Sequence, residues 1–476
     1  MSENKSNGVL TPIVRYIKDF GVLRDNPMVY WAVQIINLLD SAAYFALLAI
    51  GTVFFTTNMG LNDVHTGYVV ATMTIATTLI LLGVGAFTDW LGIRKSMFLA
   101  IGLQTVSRGG LALMGLWAGC PGRLWLAIGF FMLTAPGMAM TITVFQSANR
   151  RFSSKRSRSA SFSLWYMIMN LGAAVAGYLI IDGVRLWFEI DNSHIFTIGF
   201  FCGLLSLLTA ILLIRGEKQV TDKEEDAEEA TSTNPPQEKL GFIKNLKTVI
   251  GQTSFHRLLV LMVAVLGVRA IFAYAYLLMP KYWIRVIGPD VEMGFLSAVN
   301  PICIVIGIIL TIPIIGRFNI FKVLVFGAII SSLSLFVLTL PWSWFGGDVA
   351  SGYFNMAVIM MVVLSIGEIL WSPKLNEYTA AIAPKGMEGT YLGMSMAPWF
   401  IAKTLVSFAS GHMLSRWCPE GIGEPIRAGS LSFWDSPEAM WFWLFLWAVI
   451  GVAIVIIFGK WLTAGTDLNP TKKTAA

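Results

Sequence analysis

Gly85-Ala86-Phe87-Thr88-Asp89-Trp90-Leu91-Gly92-Ile93-Arg94-Lys95 is a short polar interruption between two apolar runs, 64–88 and 96–118. So brief a connection allows only a tight turn, which lays the two runs side by side and antiparallel. Gly92 suits such a turn. Asp89 can cap the following helix or pair with a basic residue of a neighbour. Arg94 and Lys95 sit where a cytoplasmic turn would meet lipid phosphates. Both flanking runs exceed the roughly 20 apolar residues that carry a helix across a bilayer.

The rest of the chain repeats this alternation. Of 476 residues, 56% are hydrophobic and only 13% charged, against about 25% charged in soluble proteins. This is the composition of a multi-pass membrane protein. Twelve candidate spans cover roughly 28–56, 64–88, 96–118, 124–146, 160–182, 195–214, 256–281, 293–315, 320–341, 353–382, 390–414 and 437–463. With the N-terminus inside, 25 Lys and Arg fall in inner segments, six in outer loops and three within apolar runs. That asymmetry obeys the positive-inside rule and requires an even number of spans with both termini cytoplasmic. Residues 216–239 are charged, poor in apolar side chains and expected to be disordered. Phe242, Leu246 and Ile250 recur at helical spacing and suit an interfacial helix leading into span seven. The first 27 residues lack a signal-peptide pattern and are expected to remain in the mature protein.

Several function classes fall away. The net charge of +6 comes from cytoplasmic loops and marks orientation, not a nucleic-acid surface. Cys120, Cys202, Cys303 and Cys418 show no metal spacing. Cys202 and Cys303 suit packing inside spans, while Cys120 and Cys418 lie in loops of the same side, where a disulfide is conceivable. His65, His194, His256 and His412 do not cluster. No nucleophile–base pairing, metal spacing or phosphate loop argues for an enzyme or a cofactor.

Charged and polar residues inside the spans are the candidate site. Glu368, in Ser365-Ile-Gly367-Glu368-Ile-Leu-Trp371-Ser-Pro373, is a carboxylate in a run that reads as membrane interior. Its default reading is functional, and the alternative is a structural carboxylate satisfied by a neighbouring helix. Gly367 permits close approach, and Pro373 can break the helix just beyond. Gln34, Asn37, Ser41 and Tyr44 share one face of span one, with Asp40 beside it. That face lines a cavity or holds helices together by hydrogen bonds. A carboxylate withdrawn from water takes up a proton more readily, so Asp40 and Glu368 are the proton-carrier candidates. Arg269, Tyr276 and Pro280 share a face of span seven. Arg269 pairs with Asp40 or Glu368, or awaits an anionic group. Ser395, Trp399, Lys403 and Ser407 share a face of span eleven and bring a second buried cation. Arg108 in span three has no evident partner. Glu377 is expected to pair with Lys374 or Lys385 at the interface.

The stretch Gly85–Lys95 resembles the loop signature of the major facilitator superfamily, G-x-x-x-D-(R/K)-x-G-x-(R/K)-(R/K), departing at Trp90. Pro313-Ile-Ile-Gly316-Arg317-Phe318 resembles a worn copy at the equivalent place in the second half. Three further stretches resemble the proton-coupled oligopeptide transporter family. Phe162–Gly172, through Tyr166, Asn170 and Gly172, resembles F-x-x-x-Y-x-x-x-N-x-G. Asn300-Pro301 resembles the family's eighth-span N-P. Gly367-Glu368, Ser372-Pro373, Ala383-Pro384 and Trp399 resemble its tenth and eleventh spans. Two family features are missing. Where span one would carry E-x-x-E-R it has Asn37, Asp40 and Ser41, and Gly137–Thr143 lacks the fourth-span lysine.

These resemblances imply an all-α fold of twelve transmembrane helices in two pseudo-symmetric six-helix halves. The expected divisions are an N-terminal tail (1–27), a first half (28–215), a linker (216–255), a second half (256–463) and a C-terminal tail (464–476). They imply a secondary transporter, coupled to protons, for a small polar solute such as a di- or tripeptide. Glu368 and Asn300 would hold a substrate amino group, with Trp399 shaping the pocket. Tyr44, Tyr166 and Trp371 could supply aromatic walls, and Asn170, Arg269, Tyr276 and Lys403 complete the binding set. Gly85, Asp89, Gly92, Arg94 and Lys95 would form the gating motif. The missing first-span motif leaves open a carrier or exporter of another amphiphilic or anionic solute, or a membrane sensor on the same fold. The expected setting is a monomer in a plasma or inner membrane, with a small-molecule substrate, a proton and the lipid bilayer as partners, and no nucleic acid or metal.

Overall fold

The computed structural model describes residues 20–154, 157–214, 252–315, 318–383, 395, 397–466 and 468. Most of the tails, nearly all of the linker and Gly316, Arg317, Pro384 and Lys385 lie outside them, so most of the interfacial helix over 240–255 and the Gly316-Arg317 pair of the worn second motif do too.

The described chain is a bundle of long helices. The first half holds α1 (Met28–Thr57), α2 (Asp63–Leu91), α3 (Ile93–Leu116), α4 (Arg123–Arg151), α5 (Arg158–Ala174) and α6 (Ser193–Leu213). The second holds α7 (Thr253–Ala264 and Leu266–Leu277), α8 (Met293–Ile315), α9 (Ile320–Val337), α10 (Val349–Ile382), α11 (Ala397–Trp417) and α12 (Pro437–Ile457). Among the described residues, ten helices are long and apolar enough to cross a membrane, and the two arms of α7, bent by 43°, make an eleventh. The 21-residue α11, more polar because it carries Lys403, takes the remaining position. Leu204, Leu205, Leu208, Ile211 and Leu212 of α6 are exposed, an apolar belt suited to lipid.

Local chemistry explains the joints. Gly92 turns α2 into α3 at φ +81°, in the left-handed region that a side chain resists. Its N–H and the Ser96 hydroxyl both donate to the Thr88 carbonyl. Beyond Ala174, α5 continues through wider-wound π turns to Trp187 without a proline. Pro373 can break a helix just after Glu368. Instead the helix runs through it to Ile382. Membrane helices tolerate such prolines because neighbours resatisfy the freed backbone groups.

The halves meet through α2 against α11, α5 against α8, and α1 against α7. At the α5–α8 crossing, Gly177 and Gly294 each face the other's carbonyl so closely that a Cβ at either would collide. By loop charge, the end that carries the α1–α2 and α7–α8 turns is the one expected to face outward. There Asp63, at the start of α2, holds Lys281 and Arg285 from the short helix Met279–Val286, each at 2.9 Å. Arg285 also donates to the Cys418 carbonyl at 2.8 Å. The Asp182 carboxylate of the first half accepts the Gly294 and Phe295 N–H groups at the start of α8, at 2.7 and 2.6 Å. Arg185 donates to the carbonyls of Val291 and Pro289. Cys120, Cys202, Cys303 and Cys418 are all free thiols, so the conceivable Cys120–Cys418 disulfide is not formed.

Candidate functional site

Glu368 lies midway along α10, where Gly367 lets that helix press against Ser331 and Gly327 of α9. One carboxylate oxygen accepts the Tyr166 hydroxyl of α5 at 3.3 Å, across the two halves. The other accepts from the Asn300 amide of α8 at 3.1 Å, and that amide nitrogen also lies 3.0 Å from the Ser365 hydroxyl. The sequence placed these three residues in separate motifs, and the fold brings them to one point. Asn170 is buried and donates to the Tyr166 carbonyl one turn back, so it steadies Tyr166 from within α5.

Two cations stand beside this cluster, both bordering the Trp399 ring of α11. The Arg269 guanidinium lies 4.9 Å from the Trp371 ring centre and 5.9 Å from that of Trp399. Trp371 is fully buried and anchored by its indole N–H to Ser331 at 3.0 Å, so it forms a fixed backing for Arg269 rather than an open wall. Phe272 packs against both indoles. The Lys403 ammonium donates to the Tyr44 hydroxyl of α1 at 2.8 Å and sits 5.1 Å from the Trp399 ring centre. Tyr276 packs against Phe45 at 5.3 Å. Tyr44, Tyr166, Arg269, Tyr276, Asn300, Glu368 and Trp399 are half-buried, whereas Lys403 is 5% exposed.

The other sequence candidates separate from this cluster. Asp40 is paired with Arg108 of α3 at 2.8 Å, both buried, which supplies the partner that the sequence left unnamed. Arg269 pairs with neither Asp40 nor, at ion-pair distance, Glu368 among the described residues. The polar face of α1 divides in two. Gln34 donates to Asn149, Asn37 to the Trp165 carbonyl and Ser41 to Asn37, so this part holds helices together. Tyr44, on the other part, reaches Lys403. Lys374 holds Glu377 at 2.7 Å, as the sequence suggested. In the turn motif, Gly85 and Asp89 fall in the last turns of α2. Arg94 and Lys95 are exposed at the start of α3, with Arg94 over the Phe98 ring. Trp90, the departure from the motif, is 77% exposed, a position suited to the membrane interface. No group of three metal-ligand side chains occurs among the described residues.

Sequence reasoning missed the outer cluster of Asp63, Lys281 and Arg285, and it missed Asp182. The available signal was that two of the six outer basic residues stand only four apart at the end of an apolar run.

Residues 30–407 match the family profile of the Major Facilitator Superfamily. The chain belongs to the major facilitator superfamily. Within this superfamily, its fold resembles a variant of the peptide transporter POT in complex with alafosfalin (TM-score 0.64, 18% identity, covering 92% of this chain and 96% of that one). It likewise resembles a POT family transporter in complex with 5-aminolevulinic acid (0.66, 15%, 92% and 97%) and a D-xylose-proton symporter (0.65, 14%, 91% and 97%). No curated protein sequence matches the chain. A major facilitator of this build is a multi-pass membrane transporter, with the cluster around Glu368 at the meeting of its halves.

Proposed function

We propose that the protein is a proton-coupled symporter of a small polar solute bearing an amino group and an acid group, such as a di- or tripeptide. The observation that carries this reading is Glu368, held by Tyr166 and Asn300, in one cluster with Arg269 and Lys403 around Trp399. An amino group would take the carboxylate, and an acid group would take Arg269, replacing the basic residues missing from spans one and four. The resemblance to peptide transporters and to a sugar–proton symporter supports the carrier chemistry without fixing the solute.

The mechanism follows from where the contacts cross. Tyr166–Glu368 and Tyr44–Lys403 join the halves in the middle, and Asp63 with Lys281 and Arg285 joins them outside. Closed outer contacts suit a carrier whose cavity faces inward. Rocking the halves, 28–215 against 256–463 about the linker 216–255, would break the outer set and expose the site to the other side. Protonation of Glu368 would release its two donors and the amino group seated there, so a proton held elsewhere in the loaded carrier and passed to Glu368 would discharge the solute on the inner side. Asp40 remains the second proton-carrier candidate. Gly92 and its flanking basic residues would gate the inner side. We read the protein as a monomer with both tails cytoplasmic, in a plasma or inner membrane.

A second reading is a carrier or exporter of another anionic or amphiphilic solute. Its support is the missing span-one motif together with aromatic rings around both cations. Uptake of labelled dipeptides, amino acids and organic acids into proteoliposomes separates the two, and silence toward every solute would favour a sensor.

A further inference from the structure

Among the described residues, three of the four fully buried basic side chains, Arg108, Lys281 and Lys374, come with carboxylates. Arg108 has Asp40, Lys281 and Arg285 share Asp63, and Lys374 has Glu377. Lys403, the fourth, has none at ion-pair distance among the described residues; the half-buried Arg269 has none either, and both border the Trp399 ring. Lys403 is 5% exposed, and its ammonium has three donors. One goes to the Tyr44 hydroxyl, and the other two have no protein partner among the described residues. The Arg269 Nε is likewise buried without a hydrogen-bond partner. A buried ammonium with unmet donors is costly unless something completes it.

The charges of the site therefore do not balance. Glu368 supplies one negative charge against two positive ones. A solute with one amino and one acid group is neutral overall and leaves a cation unmet. A solute with one amino group and two acid groups closes the account of charge. Trp399 and Tyr44 hold Lys403 in place, so it meets the second acid group already oriented.

We propose that the central site selects solutes carrying one amino group and two acid groups, acidic dipeptides being the accessible example, and that Lys403 is the residue that selects the second acid group. This rests on the reading of Glu368 as the seat of the amino group. It also explains why the charged site residues stand on α7, α10 and α11 while the first half contributes phenols. The extra acid group would compete with Tyr44 for Lys403 and so report its arrival to α1.

The test measures binding of Ala-Ala, Ala-Glu and Ala-Lys by the purified full-length protein in detergent at one pH. Ala-Glu is expected to bind about tenfold or more tighter than Ala-Ala, with Ala-Lys weakest. Lys403→Gln should bring the ratio of Ala-Glu to Ala-Ala affinity near one, and Lys403→Arg should keep the preference. The wild-type comparison stands even if Lys403→Gln does not fold. Equal binding of Ala-Ala and Ala-Glu by the wild type overturns this inference alone, as does a preference that survives in a folded Lys403→Gln. Failure to bind any of the three overturns it together with the amino-group seat.

Discussion

The Tyr166 hydroxyl of the first half donates to the Glu368 carboxylate of the second at 3.3 Å. Asn300 completes the carboxylate from within the second half at 3.1 Å. A hydrogen bond to a charged group contributes about 1.5–3 kcal/mol. Tyr166→Phe is therefore expected to weaken solute binding about tenfold while leaving the melting temperature nearly unchanged. Wild-type affinity in Tyr166→Phe would show that the phenol does not shape the site.

The Asp40–Arg108 pair makes a separate prediction. Removing one partner of a buried pair leaves an uncompensated charge, at a cost of about 3–5 kcal/mol. Asp40→Asn should lower thermal stability accordingly, and Asp40→Asn with Arg108→Gln should recover much of it. If Asp40 also carries protons, both variants lose pH-driven accumulation while keeping solute exchange. Accumulation restored in the double variant would limit Asp40 to a structural role.

The outer cluster predicts a change in accessibility. Asp63→Asn leaves Lys281 and Arg285 facing each other without their shared carboxylate. Cys418 is buried beside Arg285, which binds its carbonyl. Its modification by a membrane-impermeant thiol reagent, followed by peptide mapping, should speed up about tenfold or more in Asp63→Asn. An unchanged rate would mean that Asp63 does not hold the outer end closed.

Gly294 tests the close crossing. Gly294→Val would drive a side chain against the Gly177 carbonyl and the Asp182 carboxylate. The expected result is a folded protein with the same faster Cys418 labelling, because the outer contact cannot close. Wild-type labelling would show that the crossing tolerates bulk.

Much of this was legible in the sequence because membrane length leaves few choices. Each expected span corresponds to a helix or helix pair with ends shifted by several residues, and Gly92 makes the turn that its neighbourhood required. Glu368 stood out because a carboxylate in an apolar run needs a reason. Its company with Asn300 and Tyr166 came through the order of family motifs. Pairing between distant spans was not legible. Asp40 and Arg108 are 68 residues apart, and Asp63 and Lys281 are 218 apart. Nothing local distinguishes a structural pair from a cavity charge, so Asp40 looked freer than it is. The continuity of α10 through Pro373 depends on packing against neighbours, which no local rule contains.

The most direct measurement is dipeptide uptake by the full-length protein in proteoliposomes under an inward proton gradient. The account predicts accumulation that collapses with a protonophore and is absent in a correctly folded Glu368→Gln. A folded Glu368→Gln that accumulates solute as the wild type does would contradict it.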